Sequence, residues 1–338
     1  MSDNSRDIDH FNSSYHAPVM WREVVGIFQG LSSILIDGTL GGGGHSLALL
    51  SSVDNVHVLG LDRDSDAISF ASTRLKSFGN RFLAIQSKFS KIADVLATSE
   101  VQTWADGFQM SGAIFDLGVS SHQLDDHDRG FSFNSDTSFD MRMDSNDLNT
   151  AESFLRTATE SHLAVIFAQN GERKFARFLA RKIKEATAKS TFGSALELRN
   201  LIVSSLPKGY TQGKLDPATK VFQAIRIAVN NELEELETAL DSIPSIFGLG
   251  SRICIISYHS GEDERVKHVF NRWTKGDCRC PVALECVCGA TIIAKSVIRL
   301  ARPKADEVEL NPRARSAKLR AVQFIEPVTV AQVRGRAR

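Results

Sequence analysis

Two acid-ended apolar runs and the glycines between them are the residues in this chain best suited to hold a ligand. Ile34-Leu-Ile-Asp37 leads directly into Gly38-Thr-Leu-Gly-Gly-Gly-Gly-His45, and Val56-His-Val-Leu-Gly-Leu61 ends on Asp62. A glycine turn between a strand and a helix exposes backbone N–H groups and lets a ligand approach closely. An acid closing the second strand is placed to accept hydrogen bonds from ribose hydroxyls. The glycines lack the Gly-x-Gly-x-x-Gly spacing that suits a dinucleotide pyrophosphate, so a nicotinamide dehydrogenase fits poorly. S-adenosylmethionine carries no phosphate, and a glycine loop flanked by Asp37 and Asp62 suits it. The same glycines would also serve a turn that merely joins strand to helix.

Two further clusters close apolar runs. Asp116-Leu-Gly-Val-Ser-Ser121 follows Ala113-Ile-Phe, at the strand end where open α/β sheets place their ligands. An amino group on an aromatic ring is a poor nucleophile because its lone pair is delocalised into the ring. A carboxylate such as Asp116 would help by accepting an N–H hydrogen bond and aligning the nitrogen, and alignment is worth up to ~7–11 kcal/mol in well-oriented systems. Asp116 facing only the cofactor is an equal alternative. His259-Ser260-Gly261-Glu262-Asp263 follows the strand-like Arg252–Ser257. His259 and Glu262 are candidate catalytic groups at a substrate edge. A helix start in which Ser260 caps and the acids complement the dipole accounts for the same residues.

The elements that must position these groups follow from the period of the apolar residues. Strands are expected at 34–37, 56–61, 82–85, 113–116 and 252–257, with later ones at 290–297 and 319–325. A helix is expected from Asp66 to Phe78. Strands alternating with helices predict an α/β fold with a doubly wound parallel sheet. From about Leu124 to Asp216 the alternation stops, leaving an Asp-rich stretch and helical patterns only. Phe175, Phe178, Leu179 and Ile183 make one face of a helix over 173–186, and Lys174, Arg177, Arg181 and Lys184 another. One long helix after Pro217 is signalled by Val221, Ile225, Val229, Leu233, Leu236 and Leu240, with Glu232, Glu234, Glu235 and Glu237 facing solvent. The expected organisation is a tail over 1–15, a discontinuous α/β domain over 16–135 and 216–328, an inserted helical domain over 136–215, and a basic tail over 329–338.

Composition limits the function classes. Apolar residues make up 42% and charged residues 24% of the chain, as in ordinary folded soluble proteins. No apolar stretch approaches the ~20 residues of a membrane span, and the polar first fifteen residues give no secretion signal. Four of the five cysteines crowd into Cys278-x-Cys280 and Cys286-x-Cys288. That is not a disulfide framework, and a cytoplasmic setting is expected. The four thiols are either reduced cysteines on a surface excursion or a structural zinc site, although single-residue spacing strains chelation at one tetrahedral centre. Cys254, inside a strand pattern, is expected in the core. The formal net charge is zero, but eleven Lys and Arg against four Asp and Glu fill 295–338, and seven aspartates lie between Asp125 and Asp147. Segregated charge of this kind suits a polyanion on one surface. Lys174, Arg177, Arg181, Arg313 and Arg315 are the candidate phosphate contacts. The Asp-rich stretch would repel phosphate, so it either folds inward or binds a cation.

At these residues the sequence resembles the RsmH (MraW) family of ribosomal RNA methyltransferases. The resemblance runs from His16-Ala-Pro-Val19 through Asp37–His45, Asp116-Leu-Gly-Val-Ser-Ser-His-Gln-Leu-Asp125, Arg129-Gly-Phe-Ser-Phe133 and Asp140-Met-Arg-Met-Asp144. It continues with Pro217-Ala-Thr-Lys-Val-Phe-Gln-Ala-Ile-Arg226, Ser257-Tyr-His-Ser260 and Asn311–Arg320. It implies a class I (Rossmann-like) S-adenosylmethionine methyltransferase fold with an inserted all-helical domain for substrate recognition. It further implies N4-methylation of a decoding-centre cytosine in 16S rRNA, with the small ribosomal subunit as partner and either a monomer or a homodimer. Cofactor contacts carry over onto Gly43, Gly44, His45, Asp62, Phe89, Asp116 and Gln123. His122 stands where the family usually has proline and Gly261 where it has leucine, which puts the rigidity of those loops in doubt. A DNA amino-methyltransferase would carry Pro-Pro-Tyr after the fourth strand, and Leu117-Gly-Val-Ser-Ser121 has no aromatic clamp. A ribosome-assembly factor that keeps the fold without activity is the alternative from another class.

Overall fold

A computed structural model describes residues 18–133, 136–137, 139–170, 172–189, 193–207, 210, 216–276 and 291–326. Both expected tails and the Cys278–Cys288 cluster lie outside the described residues.

Seven strands form one sheet: β1 (Ser33–Asp37), β2 (Val56–Asp62), β3 (Phe82–Gln86), β4 (Met110–Asp116), β5 (Arg252–Ser257), β6 (Ala294–Ala301) and β7 (Lys318–Phe324). Their order is β3-β2-β1-β4-β5-β7-β6. The first five pair in parallel, and β7 runs antiparallel between β5 and β6. Central strands read as continuous apolar runs because both faces of the sheet are covered. Alternate residues of β1 point opposite ways. Ile34 and Ile36 join Phe115, Ile255, Leu236 and Leu240 on one side, whereas Leu35 joins Val24, Phe28, Leu49 and Ile256 on the other. Cys254 is fully buried in the second of these clusters. The first strand order change lies between β1 and β4, so Asp37 and Asp116 close neighbouring strands at the crevice where such sheets bind ligands.

The chain divides into two compact units, one of residues 1–118 with 234–338 and the other of Val119–Leu233. The second unit is helical. Its helices Ala151–Thr157, Glu160–Gln169, Ala176–Ala188, Ala195–Ser205 and Thr219–Val229 bury Leu155, Phe167, Leu179, Ile183, Leu198, Ile202, Val221 and Ile225 in a core of their own. Each of three starts on a hydroxyl that accepts a backbone N–H: Thr150 from Ser153, Thr159 from His162, and Ser194 from Glu197 in a full capping box. The unit starts earlier and ends later than the 136–215 span that the period changes suggest.

Several elements differ from the sequence expectation. The single helix expected after Pro217 is two, Thr219–Val229 and Glu232–Ile246. Asn230 and Asn231 separate them, and Asn231 adopts a left-handed φ of 50°. Buried Asn230 accepts from Met143 N at 2.8 Å and donates to Met141 O at 2.8 Å. Side-chain bonds to a neighbouring loop thus end an apolar period that would otherwise continue. Glu232 and Glu235 do not face solvent as expected: each is largely buried in an ion pair, whereas Glu234 and Glu237 are exposed. The helix expected over 66–78 stops at Arg74 and passes into a 3-10 segment, Lys76–Arg81, in which Gly79 has φ 55°. β6 lies four residues later than expected at each end. Among the described residues no helix is long and apolar enough to cross a membrane.

The Asp-rich stretch is organised from within. Asp140 binds Arg142 through both carboxylate oxygens at 2.7 Å, and Arg129 donates to the carbonyls of Arg142 and Met143. Asp126 and Asp144 each accept the backbone N–H two residues on. Burial would raise Asp140, but the Arg142 guanidinium overrides it and holds the carboxyl below its ordinary value. These acids close local turns.

Candidate functional site

The carboxyl ends of β1, β2 and β4 each deliver one aspartate. Asp37 is buried and accepts from Ser46 Oγ at 2.7 Å. Asp62 accepts the backbone N–H groups of Gly41 at 2.8 Å and Asp64 at 2.9 Å. Asp116 accepts from the Tyr258 hydroxyl at 2.8 Å, and its other oxygen lies 3.7 Å from His45 Nδ1. Burial pushes Asp62 and Asp116 each up to about 6, and raises Asp37 from its ordinary value as well. Three desolvated carboxyls at adjacent strand ends make a site that favours a cation.

The glycine turn is shaped by contact as well as by φ. Gly43 has φ 73° and begins the helix Gly44–Ser52. A Cβ there would lie 3.1 Å from Leu75 and 3.2 Å from Ala71. A Cβ on Gly38 would fall 2.4 Å from the Phe115 ring, so the backbone passes over that ring only as glycine. Arg74 donates to Gly42 O at 2.8 Å and clamps the turn. His45 Nε2 is 2.9 Å from Val19 O. A carbonyl oxygen only accepts, so Nε2 carries the proton, and Nδ1 is the nitrogen that faces Asp116.

Phe89 sits in the short turn Phe89–Lys91 after β3, half-buried, its ring edge-on to Phe115 at 5.8 Å. Gly43, Gly44, His45, Asp62, Phe89 and Asp116 therefore all belong to the sheet unit, on neighbouring strand ends. Gln123 belongs to the helical unit. There it is buried, and its side-chain oxygen accepts from Ser120 N at 3.1 Å.

His259 and Glu262 adopt the helix-start arrangement. Glu262 Oε2 accepts from Tyr258 N at 2.8 Å and His259 N at 3.3 Å, closing a capping box on the helix Ser260–Lys275. The cap residue is His259, not Ser260 as expected. Its Nε2 lies 3.1 Å from Glu262 Oε1 without hydrogen-bond geometry. Asp263 is held by Lys318 at 2.9 Å and Arg320 at 2.8 Å. Burial raises Asp263, and the two cations more than reverse it.

Among the phosphate candidates, Lys174, Arg177, Arg181, Arg313 and Arg315 are all exposed. Lys174 stacks on the Phe175 ring at 5.2 Å and Arg181 on Phe178 at 5.7 Å. Lys184 is different: its ammonium donates to the carbonyls of Leu155 and Arg156, ending the helix Ala151–Thr157. Three neighbours of the site carry no functional signal in the sequence taken residue by residue. Thr39 Oγ1 accepts from Asp116 N at 2.6 Å, Tyr258 holds Asp116, and Glu235 joins the ends of β2 and β3 through ion pairs. Tyr258 was visible as part of a motif. Nothing in the sequence distinguishes Glu235 from its acidic neighbours.

The strand order with its antiparallel seventh strand, and acids closing β1, β2 and β4 around a glycine turn, define a Rossmann-like methyltransferase. Residues 13–325 match the model of the MraW methylase family. The chain belongs to that family. It is 41% identical over 315 residues to the ribosomal RNA small subunit methyltransferase H of Nitratiruptor sp., covering 92% of this chain and 99% of that protein. It is 38% identical to the protein of the same name from Syntrophobacter fumaroxidans, covering 91% and 96% respectively. Among solved structures, a putative methyltransferase from Streptococcus mutans in complex with SAH aligns with a TM-score of 0.39 at 12% identity, over 90% of this chain and 97% of that one.

Proposed function

We propose that this chain methylates N4 of a decoding-centre cytosine in small-subunit ribosomal RNA, with S-adenosylmethionine as donor. The observation that carries the donor assignment is the set of three carboxyls at the ends of β1, β2 and β4, Asp37 buried and Asp62 and Asp116 partly so, beside a turn that excludes a Cβ at Gly38 and leaves little room for one at Gly43. Such a cradle fits a cationic nucleoside without a phosphate. Bound there, the donor supplies an electrophilic methyl group on a sulfonium. Gly43, Gly44 and His45 form the turn against it, Asp62 accepts from the ribose hydroxyls, and Phe89 flanks the base. The family resemblance assigns Gln123 to the donor as well.

Asp116 has two readings, and the His45 and Tyr258 contacts suit both. It either faces the donor or accepts an N–H of the target amine and aligns its nitrogen. No strong base is needed, because the amine becomes acidic once methylated and releases its proton afterwards. Glu262 is occupied with backbone N–H groups, and we assign it and His259 to shaping the loop after β5. We assign the helical unit Val119–Leu233 to substrate recognition, and we assign RNA phosphate contacts to its Lys174, Arg177 and Arg181 and to Arg313 and Arg315 of the sheet unit. A protein acting on ribosomal subunits in this way works in the cytoplasm.

The test is transfer of labelled methyl from S-adenosylmethionine onto small subunits lacking the modification, followed by mass mapping of the labelled base. N4-methylcytosine at one decoding-centre position is expected. Label on an adenine, or only on free DNA, overturns the substrate. Absence of donor binding by the wild-type chain in calorimetry overturns the donor assignment.

A further inference from the structure

Glu235 lies in the first turn of the helix Glu232–Ile246, whose Leu236, Leu240 and Ile243 pack into the same core as Leu61, Phe89 and Phe115. Its side chain is only 14% exposed and gathers partners from two separate loops. It accepts from the Ser90 hydroxyl, and its oxygens lie 3.9 Å from Arg63 and 3.9 Å from Lys88. Arg63 directly follows Asp62. Lys88 and Ser90 bracket Phe89. Gln86 adds a strut within the same frame by donating to Arg63 O at 3.1 Å. One carboxylate thus joins the turn that carries the ribose-side acid to the turn that carries the base-side ring.

We propose that Glu235 is a positioning residue for the nucleoside end of the donor site, setting Asp62 and Phe89 at a fixed separation. The inference rests on the donor assignment made above. Glu235 touches neither reacting atom, so its effect is exerted on donor affinity and not on the transfer step. A nearly buried anion facing two cations holds both loops more firmly than exposed pairs would, because solvent screens it little.

The experiment compares wild-type protein with Glu235→Ala, Glu235→Gln and Ser90→Ala. Dissociation constants for S-adenosylmethionine and S-adenosylhomocysteine are read by calorimetry, with donor KM, RNA KM and kcat on small subunits. Glu235→Ala is expected to raise both dissociation constants and donor KM about tenfold, with kcat at saturating donor within about twofold and RNA KM unchanged. Glu235→Gln keeps the size and the acceptor for Ser90, and is expected to fall between wild type and alanine. Should the alanine variant fail to fold, the glutamine variant decides. Glu237→Ala, at an exposed site paired with Arg265, controls for loss of a charge on this helix. Unchanged donor binding in Glu235→Gln and Ser90→Ala, or a fall in kcat without a change in donor KM, overturns the proposal. A wild-type chain that binds no donor overturns the donor assignment instead, so the two failures are distinct.

Discussion

Asp116 sits between a phenol that can donate to it and an imidazole whose nearer nitrogen faces its second oxygen. Burial raises its carboxyl to about 6, against an ordinary 3.8. Because the folded value lies above the unfolded one, ionising Asp116 weakens the fold. Its contribution to stability is full below about 4 and is lost as pH rises to about 6. Donor binding should run the other way, since a cation needs the ionised form. Affinity for S-adenosylmethionine is expected to rise as pH climbs from 5 to 7 and then level off, with Asp62, also raised to about 6 by burial, contributing to the same limb. Calorimetry across that range checks this, and a flat profile contradicts it. Tyr258→Phe removes a hydrogen bond to the carboxylate, worth roughly 1.5–3 kcal/mol for a charged acceptor. The acidic limb of that variant should move upward by about one pH unit or more.

Helices and strands here are stopped and bent by single side chains. Asn230 holds Met141 and Met143 of the Asp-rich stretch while the chain turns between two helices. Asn230→Ala leaves a buried carbonyl and N–H without that partner and is expected to cost about 2–6 kcal/mol, at about 1–3 kcal/mol for each orphaned group. Gly38→Ala drives a methyl into the Phe115 ring beneath the site. Either the turn or the ring must shift, at about 1–3 kcal/mol, and donor affinity should fall with stability. Asp263→Ala strips the acidic partner from Arg320, itself a buried residue of β7. Breaking a buried pair in this way costs about 3–5 kcal/mol. Chemical denaturation reads all three, and a loss under about 0.5 kcal/mol, the size of an ordinary surface change, would contradict the role given to that residue.

Across the whole molecule the charge is sorted by task. Acids that look alike in sequence do different work: Asp140 neutralises Arg142, Asp263 neutralises Lys318 and Arg320, and Asp37, Asp62 and Asp116 sit desolvated at strand ends. The basic residues divide as well. Arg177 and Arg181 are exposed on the helix Ala176–Ala188, and the exposed pair of Arg181 with Glu185 at 3.8 Å leaves it little committed. Charge reversal at both should weaken RNA binding and reduce the slope of log affinity against log salt by roughly 1.4–1.8, at about 0.7–0.9 per phosphate contact. Lys184→Ala, on the same helix, should lower stability and leave the salt slope unchanged, because its ammonium caps another helix. Filter binding at several salt concentrations separates the two outcomes.

The apolar runs and the glycines between them are sufficient to place β1, β2, β4 and β5 within a few residues, and to put Asp37, Asp62 and Asp116 at strand ends. Strand period and turn chemistry are local, so a short window of sequence contains them. The break at Asn230 was invisible because the helical period continues through it and the partners that end the helix lie almost ninety residues earlier. Glu235 looks solvated in the sequence for the same reason. A carboxylate's environment depends on which loops the sheet brings beside it, and Arg63, Lys88 and Ser90 reach it only after β2, β3 and the later helix have packed on one core. Chemistry at strand ends is written locally, whereas burial and charge pairing are properties of the assembled fold.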